Sequence, residues 1–212
     1  MKKVIAINGS PRKNGNTAQL LHKALEGAKN NGAETEMIHL VDLSYQGCVS
    51  CFACKRKNTK FIGKCALKDD LSAILAKTVE SDVVFLGSPI YIGDVTSLMR
   101  AYLERLIFMN ISYDDEKSSI FTGKIDMAFF YTMNAKKAES LLFSYVYKLN
   151  QGALKKFNGK TTQLISYDTW QFKDYSRYDA SQFNEAKKLK SRTTKFPKDC
   201  KKAYDIGVTL TT

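Results

Sequence analysis

The sequence predicts an α/β fold: three layers, doubly wound around a five-stranded parallel sheet of order 2-1-3-4-5. Three observations carry that reading. Short apolar runs alternate five times with stretches patterned at helical spacing. A polar loop, Gly9 through Thr17, leaves the first run where a helix pattern begins. Polar loops also follow the third and fourth runs, and in a parallel sheet all three emerge at one edge.

Each element follows in turn. Residues 4–7 are apolar throughout, as a strand buried on both faces requires, and Ala18, Leu21, Leu25 and Ala28 then repeat at helical spacing. Residues 36–40 read as the second strand, 70–79 as a helix, 82–86 as the third strand and 96–108 as a helix. Strand 125–131, helix 138–154, strand 162–166 and a closing helix over about 199–208 complete the pattern. Right-handed crossovers place successive helices on both faces of such a sheet, giving the flavodoxin-like order, in which ligands bind at the carboxyl ends of the strands. Residues 1–212 read as one domain, with a cysteine-containing loop at about 44–68 and an irregular, tyrosine-rich tail segment at about 167–195. That tail has the character of an arm reaching a neighbouring subunit.

Composition excludes several classes of function. A 44% hydrophobic content with three prolines suits one substantial core, and no run is long and apolar enough to span a bilayer. The first residues pattern as a core strand instead of a signal peptide, so the expected location is cytoplasmic. The net charge of +12 is spread from Lys2 to Lys202 without a helix-turn-helix, finger or RNP signature. That diffuse field argues against specific nucleic-acid binding and suits an acidic partner or ligand.

The first loop reads as a phosphate cradle. Backbone N–H groups at a helix start hold a phosphate without a cationic side chain. Ser10 and Thr17 add hydroxyls and Asn16 an amide, while Gly9 and Gly15 admit close approach. A Walker A loop needs Lys where Asn16 stands, and a dinucleotide fingerprint needs three glycines where Gly9 is followed by Ser10 and Pro11. A nucleoside triphosphate and a dinucleotide are both disfavoured there. The second loop, residues 87–93, presents Pro89, Ile90, Tyr91, Ile92 and Gly93, an aromatic body and main-chain amides against which a planar ligand can lie. A third loop offers Tyr131, Thr132, Met133 and Asn134 at the same rim.

Cys48, Cys51 and Cys54 form a C-x2-C-x2-C run, with Cys65 beyond ten intervening residues. The spacing suits a [4Fe-4S] cluster; tetrahedral zinc and free thiols are the other readings, and disulfides are disfavoured in a reducing compartment. Lys55, Arg56, Lys57, Lys60 and Lys64 surround the run with positive charge, which offsets thiolate charge and tends to raise a cluster's reduction potential. Cys200, His22 and His39 have no spaced partners and read as structural, as do the aromatics of residues 143–147, in core or subunit contact.

Gly9-Ser10-Pro11-Arg12 with Asn16-Thr17, the run from Ser88 to Gly93, and Glu104-Arg105 together resemble the NADPH-dependent FMN reductase family. The tail, with Tyr167 to Phe172, Asp174-Tyr175, Phe196-Pro197 and Ala203-Tyr204, is similar to a branch that includes iron-sulfur flavoproteins. The resemblance implies that Ser10, Arg12, Asn16 and Thr17, with Asn14 in the same loop, hold the FMN phosphate. Pro89 to Gly93 would line the isoalloxazine, and Tyr131 to Asn134 would complete the ring site. Glu104 stands where the family often has Asp, and the gap before Cys65 is longer than is usual in the branch.

The resulting expectation is a flavin-based oxidoreductase with no side-chain general base. NAD(P)H or an acidic ferredoxin supplies electrons, and a quinone or other small-molecule acceptor takes them. A non-enzymatic flavin carrier or redox sensor is the alternative. The resemblance implies a homodimer or homotetramer.

Overall fold

The computed structural model describes residues 1–114 and 117–212. Strand β1 (Lys3–Asn8) leads through the polar loop into helix α1 (Asn16–Asn30), and β2 (Glu34–His39) follows. The cysteine-containing loop then runs to α2 (Asp70–Val79). Next come β3 (Val83–Tyr91), the two-residue β4 (Asp94–Val95), and α3 (Ser97–Asn110). A small antiparallel pair, β5 (Ile111–Asp114) and β6 (Lys117–Ser119), precedes β7 (Ile125–Thr132). Helices α4 (Lys137–Ser140) and α5 (Ser144–Leu154), strand β8 (Asn158–Ser166), and helices α6 (Glu185–Thr194) and α7 (Phe196–Thr211) complete the chain.

The main sheet has the order β2-β1-β3-β7-β8, all parallel, which is the predicted 2-1-3-4-5. Successive side chains on a strand point to opposite faces. Ile5, Ile7, Val84, Leu86, Met127, Phe129 and Tyr131 therefore pack on one side with residues of α2, α3 and α5. Val4, Ala6, Val83, Phe85, Ala128 and Phe130 pack on the other with α1 and α7. Those two helices cross closely: a Cβ on Gly27 would lie 2.2 Å from Tyr204 O, and one on Gly207 would lie 2.0 Å from Ala24 O.

Four expectations change. The loop expected over residues 87–93 is largely strand, because β3 continues to Tyr91 and turns back into β4 through Ile92 and Gly93. Both turn residues have positive φ, 50° and 83°, as a two-residue hairpin with right-handed strand twist demands. The helix expected over 138–154 is broken by a 3-10 turn at Leu141–Phe143, where Ser140 Oγ donates to Lys137 O and competes with the regular ladder. The tail is only partly irregular, since it contains α6. The closing helix is longer than expected, starting at Phe196 with a proline in its first turn.

Candidate functional site

At the carboxyl edge of the sheet the chain closes a cleft of about 460 Å³. Its floor is the first loop. Asn8, buried at the end of β1, accepts from Ser10 N through Oδ1 (3.0 Å) and sets its Nδ2 2.9 Å from His39 Nδ1. Burial, then the nearby Lys13 charge, holds the His39 pKa below its ordinary value, so the ring meets Asn8 in the neutral form. Gly9 N donates to Gly87 O (2.8 Å), and Thr96 Oγ1 donates to Gly9 O (2.7 Å), which ties the first loop to β3 and α3.

Helix α1 opens at Gly15 without a side-chain cap and without an acidic residue in its first turn. The amides of such a start have no intrahelical partner and carry the positive end of the helix dipole, a combination that favours an anion. Thr17 Oγ1 lies 2.8 Å from Thr132 Oγ1, joining the helix start to the end of β7.

Eleven of the fourteen expected cofactor residues line the cleft: Ser10, Arg12, Asn14, Asn16, Thr17, Pro89, Ile90, Tyr91, Thr132, Met133 and Asn134. Three do not. Ile92 and Gly93 form the tip of the β3–β4 hairpin, with Ile92 fully exposed. Tyr131 is fully buried, stacked on Phe129 at 4.1 Å, with its hydroxyl accepting from Asn150 Nδ2 (3.2 Å). Its side chain belongs to the core, since it shares strand parity with Met127 and Phe129.

The tail supplies a wall that the sequence pattern did not reveal. Thr169, Trp170, Gln171, Phe172 and Lys173 line the cleft, joined by Arg192 of α6. Met133 O accepts from both Thr169 N and Thr169 Oγ1 (3.0 Å each), so the tail is fastened to the third loop. Asn16 Nδ2 donates to Trp170 O (2.8 Å) and Arg12 Nη1 to Gln171 O (2.7 Å). Arg192 reaches Asn16 Oδ1 (3.2 Å) and Gln19 Oε1 (2.8 Å). The polar side chains of the first loop are thus held in place by residues more than 150 positions away.

The cleft fits a flavin mononucleotide on its own polar inventory. The lining includes the uncapped helix start and the cations Arg12, Lys173 and Arg192, which suit a phosphate. In the same lining, Asn134 Oδ1 and Gln171 Oε1 are buried acceptors without a partner among the described residues, which suit ring N–H or ribityl hydroxyl donors.

The cysteine loop leaves β2 at the same edge. Cys48, Cys51, Cys54 and Cys65 line one small cavity together with Arg105 and apolar side chains that include Phe52, Leu67, Phe108 and Met109. Lys55 Nζ donates to Phe108 O and Ile111 O, pinning the loop to the end of α3. Glu104 Oε2 accepts from Cys48 N (3.3 Å), so the family-motif glutamate also holds the loop. Burial pushes the Cys54 thiol up in pKa; Lys55 opposes this and the neighbouring Cys65 and Cys48 reinforce it. Among the described residues the cysteines are all free, and no three Cys, His, Asp or Glu side chains converge on a single metal ion. The four cysteines of the sequence run all line that one cavity.

The other single residues are placed as follows. His22 is exposed on α1, and Cys200 is half-buried against the α1/α7 core, where burial raises its thiol pKa. Tyr147 is buried, its hydroxyl 3.7 Å from Met133 Sδ, and burial pushes its pKa up to about 12. No helix among the described residues is long and apolar enough to cross a membrane.

Comparison with known proteins agrees with this architecture. An iron-sulfur flavoprotein of Methanocaldococcus jannaschii is 42% identical over 103 residues, 49% of this chain and 51% of that protein. One of Archaeoglobus fulgidus is 40% identical over 103 residues, 49% of this chain and 48% of its own. The chain spans about half the length of these curated relatives. Among solved structures, an NAD(P)H:quinone oxidoreductase from Methanothermobacter marburgensis superposes with a TM-score of 0.67 at 12% identity, covering 99% of this chain and 98% of that one. An azoreductase from Bacillus anthracis gives 0.68 at 14% identity, over 99% and 100%. At such identities these two matches establish the fold alone. The model of the NADPH-dependent FMN reductase family matches residues 2–167, and the chain belongs to that family.

Proposed function

We propose that this chain is an FMN-dependent oxidoreductase that takes electrons from NAD(P)H or an acidic ferredoxin and delivers them to a quinone or similar small acceptor. The observation that carries the reading is the cleft itself, with an anion-favouring helix start and buried acceptors that lack partners. Bound FMN would supply the electron chemistry, accepting electrons as a hydride or singly and releasing them to the acceptor.

The chain's own residues bind and orient. Ser10, Asn14, Asn16, Thr17 and the first amides of α1 would receive the phosphate, with Arg12 adding charge. Pro89, Ile90 and Tyr91 form one wall of the ring site, with Thr132, Met133 and Asn134 beside it. Trp170 and Phe172 cover it against water. No side-chain acid or base is needed, because the cofactor carries the reaction.

Cys48, Cys51, Cys54 and Cys65 are proposed to hold a [4Fe-4S] cluster, which would supply one-electron chemistry suited to a ferredoxin donor. Support comes from their shared cavity, the name of the relatives and the lysine-rich loop around them. Anaerobic isolation followed by iron, sulfide and visible-spectrum analysis tests this. Iron and sulfide in equal amounts, with flavin, are expected; flavin without iron or sulfide would leave a flavoenzyme fed by NAD(P)H alone.

A further inference from the structure

The arginine of the family motif has donors that the protein leaves unused. Arg105 lies on α3 with 1% of its surface exposed. Its Nη1 donates to Asp69 Oδ2 (2.5 Å) and to Gln46 O (3.2 Å). Among the described residues, its buried Nε and Nη2 have no hydrogen-bond partner of ordinary geometry. A buried charged group with unmade hydrogen bonds is costly, and native proteins seldom leave one without a purpose. The guanidinium lines the same cavity as the four cysteines, where its neighbours Val49, Leu67, Phe108 and Met109 are apolar. Sulfur of the cysteines, or sulfur bound to them, is the acceptor that this cavity offers. Lys55, beside Cys54, is already committed to the carbonyls of Phe108 and Ile111.

We propose that Arg105 is a positioning residue for a cysteine-bound iron-sulfur cluster, donating Nε–H and Nη2–H to cluster or thiolate sulfur while Nη1 remains on Asp69. The inference rests on the cluster reading above. Hydrogen bonds to sulfur draw electron density from it and raise the cluster's reduction potential. The planar fork matters as well as the charge, so lysine is not an equivalent replacement. Asp69 stands at the start of α2, which makes the pair a brace between that helix, α3 and the cluster loop.

The test is a redox titration of anaerobically isolated, cluster-loaded protein, with dithionite donating one electron per cluster and paramagnetic resonance reporting reduction. Arg105→Lys and Arg105→Gln should both titrate at a more negative potential than the wild type, with flavin content unchanged as the check on folding. Variants that keep the wild-type potential overturn the inference while leaving the cluster reading intact. Wild-type protein without iron and sulfide removes that reading and this inference with it. If both variants fail to fold, hydrogen exchange at Arg105 Nε in wild-type protein decides. Loading the cluster should slow it at least tenfold, and equal exchange with and without the cluster overturns the proposal.

Discussion

Asn134 and Gln171, 37 positions apart in the chain, both line the cleft and each has a buried side-chain oxygen that meets no partner among the described residues. An acceptor in that state gains most from a ligand that donates to it. Replacing Asn134 by Ala removes one such bond, of about 1 kcal/mol, so FMN should bind about fivefold more weakly. Equal affinity in a fluorescence titration would show that Asn134 meets no flavin donor. Asp69 makes a second prediction. Burial alone would raise its pKa, but the Arg105 hydrogen bond and charge bring it below the ordinary 3.8. A carboxylate depressed in the folded state contributes stability that is complete above 3.8 and is lost as pH falls through the lower, folded value. Asp69→Asn should therefore lower the denaturant midpoint at pH 7 and narrow its gap from wild type in that acid range. A gap independent of pH would contradict the pairing. The first-loop residues were readable because they lie together between one strand and one helix. Tyr131 was expected in the ring site and lies in the core, where strand parity puts it with Phe129.

Among the elements, α1 and α7 cross closely, through Gly27 and Gly207. A methyl group on Gly207 would meet the backbone carbonyl of Ala24, which cannot rotate away as a side chain can. Gly207→Ala should cost about 1–3 kcal/mol, with a lower thermal midpoint; an unchanged midpoint would mean that the helices part freely. This crossing supports the site, since α1 begins in the first loop and α6, carrying Arg192, leads directly into α7. The five parallel strands and their helices were legible because burial writes itself as apolar runs and stripes. Helix α6 was not, since nearly all of its residues are polar and only Lys188 is buried, where it bonds Asn134 O and Asp168 Oδ1. The wall at Thr169–Lys173 was hidden for a related reason. Its fit depends on long-range hydrogen bonds to residues 12, 16 and 133, which leave no local period.

At the scale of the whole molecule, the net charge of +12 suits an acidic electron donor. If ferredoxin docks on this surface, its rate of reducing the protein should fall steeply as salt rises from about 0.05 to 0.5 M, because screening shortens to a few ångströms. A flat response would remove electrostatic docking. All five loops that leave the carboxyl edge of the main sheet contribute to the cleft or to the cysteine cavity, so fold and site are one arrangement. The account depends most on the cleft being a flavin mononucleotide site. Purified protein incubated with excess FMN and then desalted should remain yellow, with one flavin per chain. Colourless protein after that treatment would contradict the account.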